Sequence, residues 1–194
     1  MRDRILQTTD RLFYSQGIRA VGVDTIAAAV GISKRTLYNH FPSKDDLITA
    51  YLQRRFDSLP DTDAPPAAQI LARFDLLERA FADKHFRGCP FVNAVAELGE
   101  DDRDVRMLAR AFKKGRRAWF GALLRQLDIA DADALAIKLS LLVDGAIATH
   151  LVFGDPAIAR AARDAARALL ESAGVSLVQA AAETTRLRPS RLAR

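Results

Sequence analysis

An all-α fold is what this 194-residue sequence predicts, and three observations carry the prediction. Alanine, the residue with the best helix propensity, occurs 35 times. The seven prolines stand at 42, 60, 65, 66, 90, 156 and 189, leaving residues 1–41, 91–155 and 157–188 free of the residue that breaks helix interiors. Strand signals are missing: there is no sustained period-2 alternation, and the one Asp-Gly pair, Asp144-Gly145, lies inside an apolar helical pattern.

The elements follow in order. Ile5, Leu6, Thr9, Leu12 and Phe13 recur at helical spacing and Gly17 is a stop, so a helix is expected over about 3–16. Asp24 is the expected N-cap of a short helix through Val30. Gly31-Ile32-Ser33 forms a break, after which Ser33 caps a second short helix, Lys34 to His40. Ser43, with Asp46 three residues on, resembles a capping box for a helix through about Phe56. Leu59 to Pro66 reads as a connector, and Ile70, Leu71, Phe74, Leu77 and Phe81 mark a helix over about 66–84. Gly88-Cys89-Pro90 breaks the chain before a shorter helix, Phe91 to Leu98. Beyond the acidic loop Gly99 to Asp102, one stripe joins Val105, Leu108, Phe112, Trp119, Leu123 and Leu127. Residues 132–153 are apolar almost all round, the pattern of a helix buried on all sides. Pro156 then starts a helix of small residues that runs to Gly174.

Composition bounds the class. The length suits one to two domains at roughly 150 residues each. One cysteine, Cys89, makes neither an internal disulfide nor a Cys-rich zinc site. With His85 and His150 it has no recognisable metal-ligand spacing, so no metal and no cofactor are expected. No charge-free apolar run approaches the ~18 residues of a membrane helix, and Met1-Arg2-Asp3-Arg4 opens an amphipathic pattern, not a signal-peptide core. A soluble, cytoplasmic protein without a membrane partner is the expectation. Of the net charge of +5, residues 1–55 hold +4, as suits a segment that meets phosphates. Lys113-Lys114 with Arg116-Arg117 reads as a solvated helix face, and Arg186, Arg188, Arg191 and Arg194 as a frayed basic end.

Residues 23–45 carry the chemistry. Two short helices about a three-residue turn with Gly31 make a helix-turn-helix pattern. Ala27 is small where the helices cross, and Ile26, Val30, Ile32 and Leu37 are expected to face the core shared with the first helix. Ser33, Lys34, Arg35, Thr36, Tyr38, Asn39 and His40 are then left to face outward. These are donors, cations and an aromatic, the side chains that reach phosphates and base edges.

Val23-Asp24-Thr25-Ile26-Ala27 through Val30-Gly31-Ile32-Ser33, then Thr36-Leu37-Tyr38-Asn39-His40-Phe41-Pro42-Ser43-Lys44, closely resembles the TetR family of bacterial regulators over roughly residues 3–50. The resemblance implies an N-terminal three-helix DNA-binding domain, residues 1–55, and a larger helical domain, residues 56–194, that binds a ligand and dimerises. It places base reading on Lys34, Arg35 and Thr36, DNA contact on Tyr38 and His40, and phosphate contact on Thr25 and Lys44. The family often has a small residue at the position of Arg35, which here adds either a guanine contact or a phosphate clamp.

Towards the C-terminus, Arg87 to Asn93 followed by Glu97 resembles a motif in one subset of these regulators. Asn93 and Glu97, at i and i+4, either orient a polar ligand group or serve the fold, Asn93 capping a turn and Glu97 pairing with an arginine. Phe74, Cys89, Phe91, Trp119, Phe120 and His150 complete the candidate ligand residues, although most of the aromatics suit a core equally well. Asp144 and His150 need partners on so apolar a helix, either across a dimer seam or towards a ligand. Residues 132–153 and the Ala-rich 156–173 are the expected homodimer surface, a four-helix seam with two-fold symmetry. A ligand-responsive regulator of double-stranded DNA, a repressor released from a palindromic operator, is the reading this supports. An enzyme lacks support, since Gly-x-Ser-x-Gly, phosphate-loop and His-Glu-x-x-His patterns are all missing. A ligand carrier on the same helical body and an architectural DNA binder without effector are the other readings.

Overall fold

The computed structural model describes residues 1–56, 63–99 and 102–177, and these form nine α-helices without a strand. The basic end at 186–194, the first half of the 59–66 connector and two residues of the acidic loop lie outside the described residues. Packing divides the chain into two units, Met1–Leu59 with Arg87–Lys114, and Pro60–Phe86 with Gly115–Arg194.

The first unit contains α1 (Arg2–Gln16), α2 (Val23–Val30), α3 (Lys34–His40), α4 (Lys44–Phe56), α6 (Pro90–Leu98) and the first half of α7 (Arg103–Arg125). Gly17 ends α1 at φ 95°, a backbone angle that glycine adopts without a Cβ penalty. The face of α1 predicted from spacing, Ile5, Leu6, Thr9, Leu12 and Phe13, is the buried one. Ile26, Leu37, Leu47 and Leu52 of α2, α3 and α4 are likewise fully buried, and Phe13 sets its ring edge-on to Tyr51 at 5.6 Å. Arg55 holds α4 to α1 with two hydrogen bonds to Asp10, at 2.7 and 2.9 Å, and lies over the Tyr14 ring. Burial works against the Arg55 charge, but these bonds outweigh it and hold the guanidinium above its ordinary pKa. Phe91 of α6 stacks on Phe112 of α7 at 4.0 Å, with Phe56 edge-on to both.

The second unit contains α5 (Pro66–Phe81), the second half of α7, α8 (Ala132–Phe153) and α9 (Ala157–Ser172). Ile70, Phe74, Phe120, Leu124, Leu139 and Val143 are fully buried in its core. Ala159 and Ala166 of α9 are also fully buried, small side chains where helices approach closely. Arg163 pairs with Asp75 at 2.6 Å and Arg160 with Glu78, fixing α9 along α5.

Several expectations are corrected. The N-cap of α2 is Gly22, and Asp24 sits in the first turn, where its carboxylate takes Lys34 instead of a backbone amide. Ile32 is only half-buried, because the turn that Gly31 opens lifts it to the rim of the core. Helix α5 ends at Phe81, with Asp83 accepting the His85 amide and starting the turn. Arg116 is not on a solvated face: it is 1% exposed, pairs with Asp144 at 2.8 Å and reaches the Ser140 carbonyl. Asp144 and His150 therefore find partners in their own chain, His150 stacking on Phe81 at 4.1 Å with Nδ1 3.1 Å from the Asp155 carbonyl. Helix α8 is not buried all round within one chain, since Leu141 is 64% exposed, Val152 79% and Phe153 74%. By length and apolarity alone α8 is long enough to cross a membrane; it also carries Asp133, Lys138 and the paired Asp144.

Candidate nucleic-acid interface

The turn between α2 and α3 is built on Gly31. Its φ of 75° and ψ of 40° are left-handed, and the amides of Gly31 and Ile32 close on the carbonyls of Ala28 and Ala27 at 3.1 and 3.0 Å. A Cβ there meets open space, so the requirement for glycine comes from the backbone angle and not from crowding. Ser33 caps α3 by accepting the Thr36 amide at 3.0 Å, and the Ser33 and Thr36 hydroxyls bond each other at 2.9 Å. Ser43 likewise accepts the Asp46 amide and donates its hydroxyl to the Asp46 carboxylate, starting α4. Arg4 reaches from α1 to the Val30 carbonyl at 2.9 Å, filling an acceptor at the end of α2.

On this frame α3 buries Leu37 and turns its polar side chains out. Thr25, Ser33, Lys34, Arg35, Tyr38 and Asn39 are exposed, and Thr36, His40 and Lys44 half-buried. Phe41 is buried, a core residue with the Arg2 guanidinium over its ring at 4.7 Å. The Lys44 ammonium stands 6.0 Å above the Phe13 ring, and Asp45 and Asp46 share its helix turn. Thus the nine DNA-binding candidates are gathered on α3 and on the starts of α2 and α4.

Two contributions were missed by sequence reasoning. Asp24 holds Lys34 by an ion pair of 3.0 Å, and that hydrogen bond raises the lysine pKa. Engaging a phosphate with Lys34 therefore means competing with a carboxylate. The carbonyl capped by Arg4 is the other. A carboxylate ten residues before a lysine, across a known turn, is a signal that identifies the first pair; the second has no local signal.

The eight ligand candidates divide between the units. Phe74, Trp119, Phe120 and His150 belong to the second, with Phe74 and Phe120 in the core and Trp119 packed against it. Cys89, Phe91, Asn93 and Glu97 belong to the first. Asn93 donates to the Arg87 carbonyl at 2.7 Å, and Glu97 accepts the Arg19 amide at 3.0 Å, a backbone group and not an arginine side chain. Tyr14 donates to the Gly88 carbonyl and accepts from the Arg87 amide, both at 3.0 Å. Together these bonds strap α6 to α1. Among the described residues, no group of three or more His, Cys, Asp or Glu side chains is placed to hold a metal ion.

A capped helix-turn-helix on an apolar three-helix core, with the second helix presenting cations and hydrogen-bond donors, defines a DNA-binding regulator. Comparison with known proteins makes the class particular. Residues 5–51 match the family profile of bacterial regulatory proteins, tetR family. A TetR-family transcriptional regulator from Streptomyces coelicolor is 32% identical, with 90% of this chain and 96% of that chain aligned at a TM-score of 0.81. The chain belongs to the TetR family of transcriptional regulators. The HTH-type transcriptional activator FasR of Mycolicibacterium smegmatis is 43% identical over 58 residues, 30% of this chain and 26% of FasR. The HTH-type transcriptional repressor KstR2 of the same species is 29% identical over 137 residues, 67% of this chain and 65% of KstR2. The chain spans about a quarter of the length of several curated relatives that it matches, FasR among them.

Proposed function

We propose that the protein is a ligand-responsive repressor of the cytoplasm, binding a palindromic operator as a homodimer and released by a small-molecule effector. Residues 1–55 read the DNA, and residues 56–194 take the effector and dimerise. The observation that carries this reading is α3, whose Lys34, Arg35, Tyr38 and Asn39 are exposed on a rigidly capped turn. Support for the dimer comes from α8 and α9. Leu141, Leu142, Ala161 and Ala165 line a groove of about 540 Å³ along them, and Leu151, Val152 and Phe153 leave further apolar surface exposed at the end of α8. Two copies meeting there bury it in a four-helix seam, and a two-fold dimer with two recognition helices calls for a palindrome. The effector acts by binding the DNA-competent and DNA-incompetent states with different affinity. Repression is favoured over activation by the longer match, 137 residues to KstR2 against 58 to FasR.

Selection of bound duplexes from a random pool tests this directly. An enriched palindrome, bound by two copies of the chain, is the expected result at near-physiological salt. Salt-sensitive binding without an enriched sequence contradicts it.

A further inference from the structure

The first unit carries a groove that its DNA-binding surface does not use. It lies between α6 and α7 and encloses about 730 Å³. Phe91, Val92, Val95 and Ala109 give it an apolar floor. Among the described residues its polar edge is cationic, lined by Arg106, Arg110, Lys113 and Lys114. Arg106, Arg110 and Lys114 lie four residues apart along α7, so their charges form one ridge beside the apolar trough. Arg106 spends one N–H on the Gly99 carbonyl at a long 3.4 Å, and its Nε is buried without a hydrogen-bond acceptor among the described residues. Val92, on the floor, is 48% exposed.

An apolar trough with a single-sign cationic edge selects for one kind of molecule. A neutral apolar ligand gains nothing from the ridge of Arg106, Arg110 and Lys114, and a cation is repelled. A small amphiphile with an aliphatic body and an anionic head satisfies both halves, with the tail over Phe91 and Val95 and the head on the guanidinium ridge. We propose that the α6–α7 groove binds such an amphipathic anion. Phe91 is the one residue that it shares with the candidate ligand positions read from the sequence. The proposal deepens the ligand-responsive reading and rests on it for its regulatory consequence: α6 is strapped to α1 through Tyr14 and Glu97, so a ligand that displaces α6 bears on the DNA-binding helices.

The test uses the full chain and four probes with the same tail: decanoate, decyl sulfate, decanol and decyltrimethylammonium, titrated calorimetrically below their micelle concentrations. Decanoate and decyl sulfate are expected to bind once per chain, decanol at least about tenfold more weakly, and the ammonium compound not at all. The double substitution Arg110→Glu with Lys114→Glu, both exposed helix positions, is expected to abolish the preference for anions while leaving the thermal transition in place. A floor-filling Val95→Trp is expected to weaken decanoate and decyl sulfate alike. Equal binding of the four head groups, or unchanged decanoate affinity in the charge-reversed variant, overturns the site. If the head-group order holds but decanoate leaves affinity for the selected duplex unchanged, the site stands and its role in operator release falls.

Discussion

Single residues set what the interface reads and what it costs to engage. Lys44 stands at the start of α4, and the role proposed for it is a phosphate contact, which carries no sequence information. Lys44→Ala should therefore weaken binding to all duplexes alike and reduce the slope of log affinity against log salt by about one unit, as measured by fluorescence anisotropy over a salt series. Lys34 differs, because Asp24 already holds it. That pair was hidden in the sequence by the assignment of Asp24 to a cap, a role for which its residue type is equally suited. The choice was made by Gly22, whose extended backbone starts α2 two residues earlier. Tyr51 shows the effect of burial on a titrating group. Desolvation raises its phenol well above the ordinary value of about 10. The folded state thus favours the neutral phenol. This stability is fully present below the ordinary pKa and is lost as pH rises through the raised one. In an alkaline absorbance titration, one tyrosine should ionise only together with loss of helical circular dichroism, and Tyr51→Phe should remove that coupled step.

At the scale of elements, the helix-turn-helix was almost fully legible, since its determinants are local. Gly31, Ser33 and Ser43 each act within four residues of their own position, and spacing alone identifies the buried face of α1. Gly31→Ala puts a Cβ into a left-handed backbone and should cost about 1–2 kcal/mol, read from denaturant unfolding; a native-like midpoint contradicts the turn geometry. Longer-range pairings were not legible. Arg116 sits in a run of four cations that reads as solvated, yet a half-buried Asp144 partner 28 positions on draws it inward. Asn93 and Glu97 lie on one helix as their spacing requires. What spacing did not disclose is that Glu97 meets the amide of Arg19, in a loop some 78 residues earlier.

At the scale of the whole molecule, the all-α class follows from composition, and the larger architecture from where apolar surface is left over. Helix α8 is apolar on more faces than its own chain covers, which composition revealed and a single chain cannot satisfy. If the exposed Leu141 and Leu151 lie in a two-fold seam, Leu141→Glu with Leu151→Glu should convert a dimer to a monomer in light scattering at micromolar concentration, without loss of helix content. A wild-type chain that is already monomeric there contradicts the seam. A monomer presents one recognition helix, so the same variant should lose most of its affinity for a palindrome but little for a half-site. The central claim is that the outward face of α3 reads sequence. Its most direct measurement is the ratio of affinities for a selected duplex and a scrambled one, for the wild type and for a variant with Arg35, Tyr38 and Asn39 replaced by Ala. All three are exposed, so the helix should fold unchanged. The account predicts that the ratio falls towards one while the thermal transition stays in place; an undiminished ratio in a folded variant would place the reading of DNA elsewhere on the molecule.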